Sequence, residues 1–230
     1  MASVFASTSP SMAEEQIASW PAGESIVAGG EIYEKVKRAI DIVLSVVFLT
    51  LFLPVMLLTA IAIRLTSRGP VVFSQERVGK DGKIFRMYKF RSMRNGAERQ
   101  RAEVQHLNEA DGPVFKIQKD PRLTIIGSFL RRSSIDELPQ LVNVLLGQMT
   151  LVGPRPMWVC EWENAEGRAR LRTKVKPGIT CLWQISGRSE LRYDQWVDLD
   201  LYYMRTRCFW LDVLIVLQTI PAVLSGRGAY

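Results

Sequence analysis

Residues 40–63, from Ile40 to Ile63, form almost unbroken hydrocarbon in which Asp41 is the only charge. As one helix the stretch would reach ~36 Å, against ~30 Å for a bilayer's hydrocarbon core. It is long enough to cross, yet Pro54 sits inside it, and a proline removes a backbone donor and crowds the preceding turn. A kink is therefore expected, and each half alone is too short to span. Lys35, Lys37 and Arg38 precede the run, and Arg64 and Arg68 follow it. Positive charge marks cytoplasmic ends, and here both ends carry it. A re-entrant segment that enters and returns on one face satisfies both facts. A kinked span is the competing reading, since membrane helices tolerate proline. Asp41 is expected to pair locally with Lys37 or Arg38, one helical turn back.

The chain is basic, with a formal net charge of +7. That balance calls for an anionic partner: nucleic acid, anionic lipid or a phosphorylated substrate. Nucleic acid is not expected, because the cations are scattered among apolar segments and no helix-turn-helix, finger or RNA-binding signature occurs. Three cysteines without paired spacing support neither a disulfide framework nor a zinc cage. His106, the single histidine, excludes histidine-rich metal sites and histidine-based triads. Carboxylates must carry any acid, base or metal chemistry.

Three regions follow: a flexible cytoplasmic tail over 1–30 with no secretory features, a membrane-inserted segment over 31–68, and a catalytic domain over 69–230. The fold class is α+β, a membrane-associated chain whose small cytoplasmic domain is mostly helical with a short β-hairpin. The hairpin is expected from Val71–Gln75 and Ile84–Arg91, joined by a turn over Val78–Gly82. Residues 97–107 read as an exposed helix, and Ile125–Leu130 begins another. Tyr193–Arg207 and Phe209–Leu224 are helical. The second of these is too short to span, so it lies in the membrane interface or packs on the core.

The chemistry concentrates in 131–156, RRSSIDELPQLVNVLLGQMTLVGPRP. Asp136-Glu137 lies between Arg131-Arg132 and the Gly153-Pro154-Arg155-Pro156 turn. Ser134 could cap a helix with Glu137 reaching back. Pro139 disfavours that register and favours a helix beginning at Asp136, whose dipole would hold the carboxylate ionised. Spacing alone leaves a cap and a nucleophile equally open. Arg155 in a rigid turn suits bidentate phosphate recognition, and Lys89 and Arg91 add cations. Octahedral Mg²⁺ takes one or two carboxylates plus phosphate oxygens and water, which Asp136 and Glu137 satisfy.

At these residues the chain resembles the bacterial sugar transferases, the monotopic polyprenyl-phosphate sugar-1-phosphate transferases that initiate exopolysaccharide synthesis. The resemblance runs in order through KRAIDIVLSVVFLTLFLPVMLLTAIAIRL, GPVVFSQERVGKDGKIFRMYKFRSM, DPRLTIIGSFLRRSSIDELPQLVNVLLGQMTLVGPRP, KPGITCLWQISGR and DLYYMRTRCFWLDVLIVLQT, covering about residues 33–230. It implies a Mg²⁺-dependent transfer of sugar phosphate from a UDP-sugar to undecaprenyl phosphate at the cytoplasmic face of the inner membrane. Asp136 would be the nucleophile that expels UMP and forms an aspartyl phosphosugar. Glu137 would be a metal ligand or help activate the acceptor. Lys89, Arg91, Arg132 and Arg155 would meet phosphate, and Arg188 the nucleotide. Asp200 and Asp212 match acids whose role is structural or accessory.

The resemblance also implies a re-entrant membrane segment, contact with membrane lipids, and downstream glycosyltransferases as partners. CLWQISGR and the RGAY terminus look like members that initiate with a hexose, galactose or glucose. Gln148 stands where many members carry an acid, which would weaken a supporting contact. Two other classes remain: a catalytically retired scaffold, and a basic membrane-surface protein whose acid pair only caps a helix. Arg64, Arg68, Arg99 and Arg101 read as solvated charges, and Trp158, Trp162 and Trp196 as core or interface anchors.

Overall fold

The computed structural model describes residues 27–109, 111–187, 191–226 and 228. The expected tail lies outside the described residues as far as residue 26. Residues just after it are tied down, with the Ala28 N–H donating to the Met204 carbonyl at 2.8 Å.

The apolar run belongs to helix α1, Glu31–Thr66, which continues through Pro54. Its 36 residues extend ~54 Å at ~1.5 Å per residue. Among the described residues it is the one helix long and apolar enough to cross a membrane. Its two ends dock on one body. Leu44, Phe48 and Leu49 pack on the main core around Val144, Met149, Leu199, Met204 and Ile215. Ile63, with Met56 and Ala60, packs on Phe90 and Leu130. Between these contacts Leu51, Leu53, Leu57 and Leu58 are exposed.

Asp41 does not pair with Lys37 or Arg38. Its carboxylate is buried and accepts from the Thr150 hydroxyl at 2.6 Å and the Leu151 N–H at 3.0 Å. Arg38 instead donates to the Val144 and Leu145 carbonyls, and Lys37 to Asp212 at 2.6 Å. Lys37 and Arg38 are drawn away because a half-buried acceptor and two helix-end carbonyls outcompete a solvated ion pair worth only about a few tenths of a kcal/mol.

The hairpin forms as the turn chemistry predicts. β1, Val72–Val78, pairs antiparallel with β2, Ile84–Phe90, from Val72 opposite Phe90 to Val78 opposite Ile84. Asp81 takes the left-handed conformation in the connection. A two-residue strand, Met157–Trp158, adds to the other edge of β1, giving the order β2, β1, Met157–Trp158. Thr150–Val152, β3, pairs parallel with Gly178–Thr180. In chain order Met157–Trp158 is β4 and Gly178–Thr180 is β5. A Cβ on Gly178 would lie 2.1 Å from the Gly153 nitrogen, so glycine permits the close approach that brings the Gly-Pro-Arg-Pro turn beside β5.

The segment 97–107 is not an exposed helix. It is a series of turns with 3-10 pieces at Arg99–Arg101 and Gln105–Leu107. Only Ala97 and Val104 of it are buried core residues, too few for the apolar stripe that stabilises an α-helix.

Helix α2, Ile125–Arg132, starts at Thr124, whose hydroxyl accepts from the Gly127 N–H at 2.9 Å. Helix α3 is Gln140–Leu145. Short helices Val159–Glu163, Gly167–Leu171 and Leu182–Ile185, here α4, α5 and α6, lead to α7, Tyr193–Thr206, and α8, Phe209–Ser225. Leu211 and Ile215 of α8 enter the core, while Trp210, Leu217, Ile220 and Leu224 leave it an exposed apolar face.

Candidate active site

Chemistry needs a concave space, and one of about 910 Å³ opens between the hairpin, the 94–122 segment, α2, the Asp136 turn and the Gly-Pro-Arg-Pro loop. Asp136, Glu137, Lys89, Arg91 and Arg155 all line it. Along the chain Asp136 lies 45 positions after Arg91, and Arg155 lies 18 after Glu137.

Asp136 does not begin an α-helix. It lies in a 3-10 turn, Ile135–Glu137, preceded by Ser134 in the left-handed region at φ 55°. Ser134 makes no side-chain cap, so the capping box that Pro139 disfavours does not form. The α-helix begins only after Pro139, at Gln140. The turn presents Asp136 to the cavity at 5 % exposure.

Burial raises the Asp136 pKa to about 6, because the charged form has lost its hydration. Lys89 opposes that shift, Glu137 adds to it, and Arg131 opposes it. Lys89 itself donates to Glu137 at 2.6 Å. One lysine thus neutralises the neighbouring acid and attracts the negative charge on Asp136.

The two adjacent arginines diverge. Arg131 lines the cavity, donates to the Ser92 hydroxyl at 3.1 Å, and feels the charges of Asp136 and Asp120. Arg132, about 100° further round α2, does not line it. Arg91 fastens the far end of α1, donating to the Ser67 carbonyl at 2.9 Å and hydroxyl at 2.7 Å. Arg188 lies outside the described residues.

Asp200 and Asp212 stand behind the cavity. Asp212 collects Lys37, Tyr33 at 2.8 Å and Tyr203 at 2.7 Å, joining α1 to α7 and α8. Asp200 is buried, with its pKa pushed up to about 6 by desolvation against the pull of Arg172. Arg172 bridges it to Glu161 and donates to the Arg155 carbonyl at 3.4 Å. Asp200 therefore supports the loop that carries Arg155.

Gln148 accepts from Asn143 Nδ2 at 2.7 Å, while Asn143 also bonds the Arg86 carbonyl and the Tyr88 N–H. A carboxylate there would accept the same bond, so the amide preserves the link between α3 and β2. Gln148 thus keeps an acceptor for Asn143 at this position.

Several lining residues escaped sequence reasoning. Arg77 is 3 % exposed, stacks 3.9 Å from the Trp158 ring centre, and donates to the Pro156 carbonyl at 3.1 Å. Arg101, expected to be solvated, lies over both Phe115 and Trp158. Lys116 reaches the Trp196 ring, and Arg155 reaches Trp183. No local pattern announces Arg77, Arg101 or Lys116. The one available hint was the density of arginine and aromatic residues in a chain with a positive balance.

Two adjacent carboxylates facing a cation-lined cavity suit a diphosphate with a hard divalent ion. No cluster of three His, Cys, Asp or Glu occurs among the described residues. The donor set available is the Asp136–Glu137 pair, which fits Mg²⁺ completed by phosphate and water.

A family model described as bacterial sugar transferase matches residues 32–226. A galactosyl transferase, CpsE, of Streptococcus agalactiae is 50 % identical over 162 residues, covering 70 % of this chain and 36 % of that protein. The exopolysaccharide production protein ExoY of Rhizobium meliloti is 38 % identical over 198 residues, covering 84 % of this chain and 88 % of its own. The UDP-glucose:undecaprenyl-phosphate glucose-1-phosphate transferase of Escherichia coli is 44 % identical over 204 residues, covering 84 % of this chain and 41 % of its own. The chain thus spans nearly all of one relative and well under half of the other two.

Proposed function

Because the chain belongs to the bacterial sugar transferase family, we propose that it moves a hexose 1-phosphate, galactose or glucose, from a UDP-sugar to undecaprenyl phosphate. The observation that carries this reading is the buried Asp136 facing the cavity beside Glu137, Lys89 and Arg131. In the first step an Asp136 carboxylate oxygen attacks the sugar-bearing phosphorus. The bond from that phosphorus to the bridging oxygen breaks, and UMP leaves with the electron pair. In the second step a phosphate oxygen of the lipid attacks the same phosphorus. The acyl-phosphate bond breaks, Asp136 is released, and undecaprenyl diphosphate sugar departs to downstream glycosyltransferases.

A carboxylate nucleophile divides one anion-on-anion displacement into two easier ones. Desolvation leaves the Asp136 carboxylate reactive, while Lys89 and Arg131 offset the charge that gathers on the phosphoryl oxygens. Asp136 and Glu137 would hold Mg²⁺, which when bound neutralises diphosphate charge.

The membrane placement we infer rests on α1. A spanning helix leaves its ends on opposite faces, yet Asp41 and Ser67 both bond the same body, at β3 and at Arg91. That, with basic residues at each end, supports a re-entrant segment and a catalytic domain on the cytoplasmic face of the inner membrane. The exposed apolar face of α8 would rest among the lipids.

The test is UMP release by detergent-purified protein with Mg²⁺ and a panel of UDP-sugars, with and without undecaprenyl phosphate, beside Asp136→Asn. Acceptor-dependent UMP from one donor, lost in the variant, is expected. Silence from every donor with folded protein would overturn the reading.

A further inference from the structure

Two groups of cations line the cavity. Lys89 and Arg131 attend Asp136 in one of them. In the other, Arg155 and Lys116 converge on a stacked pair, Trp183 and Trp196, whose ring centres are 4.5 Å apart. The Arg155 guanidinium lies 5.7 Å from the Trp183 centre, and the Lys116 ammonium 5.7 Å from the Trp196 centre.

Lys116 is held in place. Its N–H donates to Asn108 Oδ1 at 2.8 Å, and its carbonyl accepts from the Glu109 N–H at 2.8 Å. The Asn108 side chain also reaches the Val114 carbonyl at 3.4 Å, so the loop is clipped shut behind the lysine. Arg77 lies beneath, buried, with its Nε lacking a hydrogen-bond partner among the described residues. No carboxylate among the described residues forms an ion pair with Arg155.

These cations repel one another. After burial, Arg155 is the next cause lowering Lys116 to about 8 and Arg77 to about 9. Like charges gathered in a cleft are relieved when an anion enters.

We propose that Lys116 and Arg155 form a second anion subsite, beside the group around Asp136, which binds the phosphate of the leaving nucleotide. This rests on the transferase reading. When the bond to the bridging oxygen breaks, that oxygen and its electron pair stay on the nucleotide phosphate, which gains one negative charge. Cations there bind the departing group more tightly than the intact donor, which favours the transition state. The Trp183–Trp196 pair forms an apolar wall that excludes water from the two cations and strengthens their pull.

UMP is the probe. Its Kd would be measured by calorimetry on the full chain in detergent, for wild type, Lys116→Gln and Lys116→Arg, with uridine as the control lacking phosphate. The KM for a polyprenyl phosphate would be measured alongside. Lys116→Gln is expected to weaken UMP about tenfold or more, leaving uridine and the lipid KM unchanged, and Lys116→Arg to restore most of the loss. Unchanged UMP affinity in a folded Lys116→Gln protein would overturn the proposal. So would a loss seen only in the lipid KM, which would assign the lysine to the acceptor. If wild type turned over no UDP-sugar while UMP binding still required Lys116, the transferase reading would fail and the subsite would stand. Turnover by wild type with UMP binding indifferent to Lys116 would give the reverse.

Discussion

Asp41 in the apolar helix and Thr150 in β3 are 109 residues apart and joined by a 2.6 Å hydrogen bond that both residues bury. The same carboxylate takes the Leu151 N–H, so one side chain fixes the membrane segment to the strand leading into the Gly-Pro-Arg-Pro loop. Asp41→Ala strands both donors and is expected to cost about 1–3 kcal/mol. Asp41→Asn, which keeps one acceptor, should lose less. Thermal unfolding in detergent reads the difference, and an alanine variant melting with wild type would refute the clamp.

Asp136 carries the pH dependence. Its folded pKa of about 6 lies above the ordinary carboxylate value, so the folded chain holds a proton that the unfolded chain releases. Stability from this group is therefore greatest at low pH and declines as pH rises from about 4 through about 6. On the proposed mechanism activity runs the other way, since attack by Asp136 would require the ionised form, and kcat/KM should fall below about pH 6. Asp136→Asn mimics the protonated state. It is expected to melt no lower than wild type at pH 7 in the absence of ligand while losing turnover; a fall of several degrees would contradict the buried-charge account.

Arg131 and Arg132 offer a paired comparison. Arg131 faces Asp136 across the cavity wall, and Arg132 does not line the cavity. Arg131→Gln should reduce kcat/KM by about 100-fold or more, as loss of a charged donor at a reacting phosphorus does, and Arg132→Gln by only a few-fold. Steady-state kinetics at fixed lipid would settle which arginine serves; equal losses would reject the assignment.

Gly127 permits α2 to lie against the hairpin's exit. A Cβ there would fall 1.7 Å from the Ser92 carbonyl oxygen. Gly127→Ala should destabilise by about 1–3 kcal/mol, because a backbone oxygen cannot swing aside. Gly96, with open space around its would-be Cβ, is no steric control, since its φ of +82° strains alanine by another route. Gly30, with open space and no such backbone demand, is the proper comparison, and a Gly127→Ala melting point equal to that of Gly30→Ala would defeat the steric argument.

The hairpin was legible because its turn residues announce themselves locally and its strands are seven residues each. Helices α7 and α8 were legible for a similar reason, since each is long enough to show a period. β3 and β5 were not. Three residues carry no alternation, and their pairing depends on Gly153 and Gly178 meeting across the fold. Asp136 and Glu137 stood out by adjacency and flanking charge, whereas Lys116 has no local signal beyond a clipped loop visible only in three dimensions. Asp41 was misread for the same reason: the nearest cations in sequence were bound elsewhere, and its true partners lay in β3. A polar side chain in an apolar run finds its partner by topology, which spacing does not encode.

The double anchorage of α1 changes what a bilayer can do to this protein. A helix free at one end answers a thicker or thinner membrane by tilting, and its function drifts with lipid chain length. Here Asp41 holds one end to β3 and Arg91 holds the other through Ser67. On the re-entrant reading, the apolar stretch between them would enter the bilayer to a fixed depth, so the distance from the acyl region to Asp136 would be set by the chain itself. Catalysis should then be indifferent to bilayer thickness and responsive to the charge of the headgroups above that stretch.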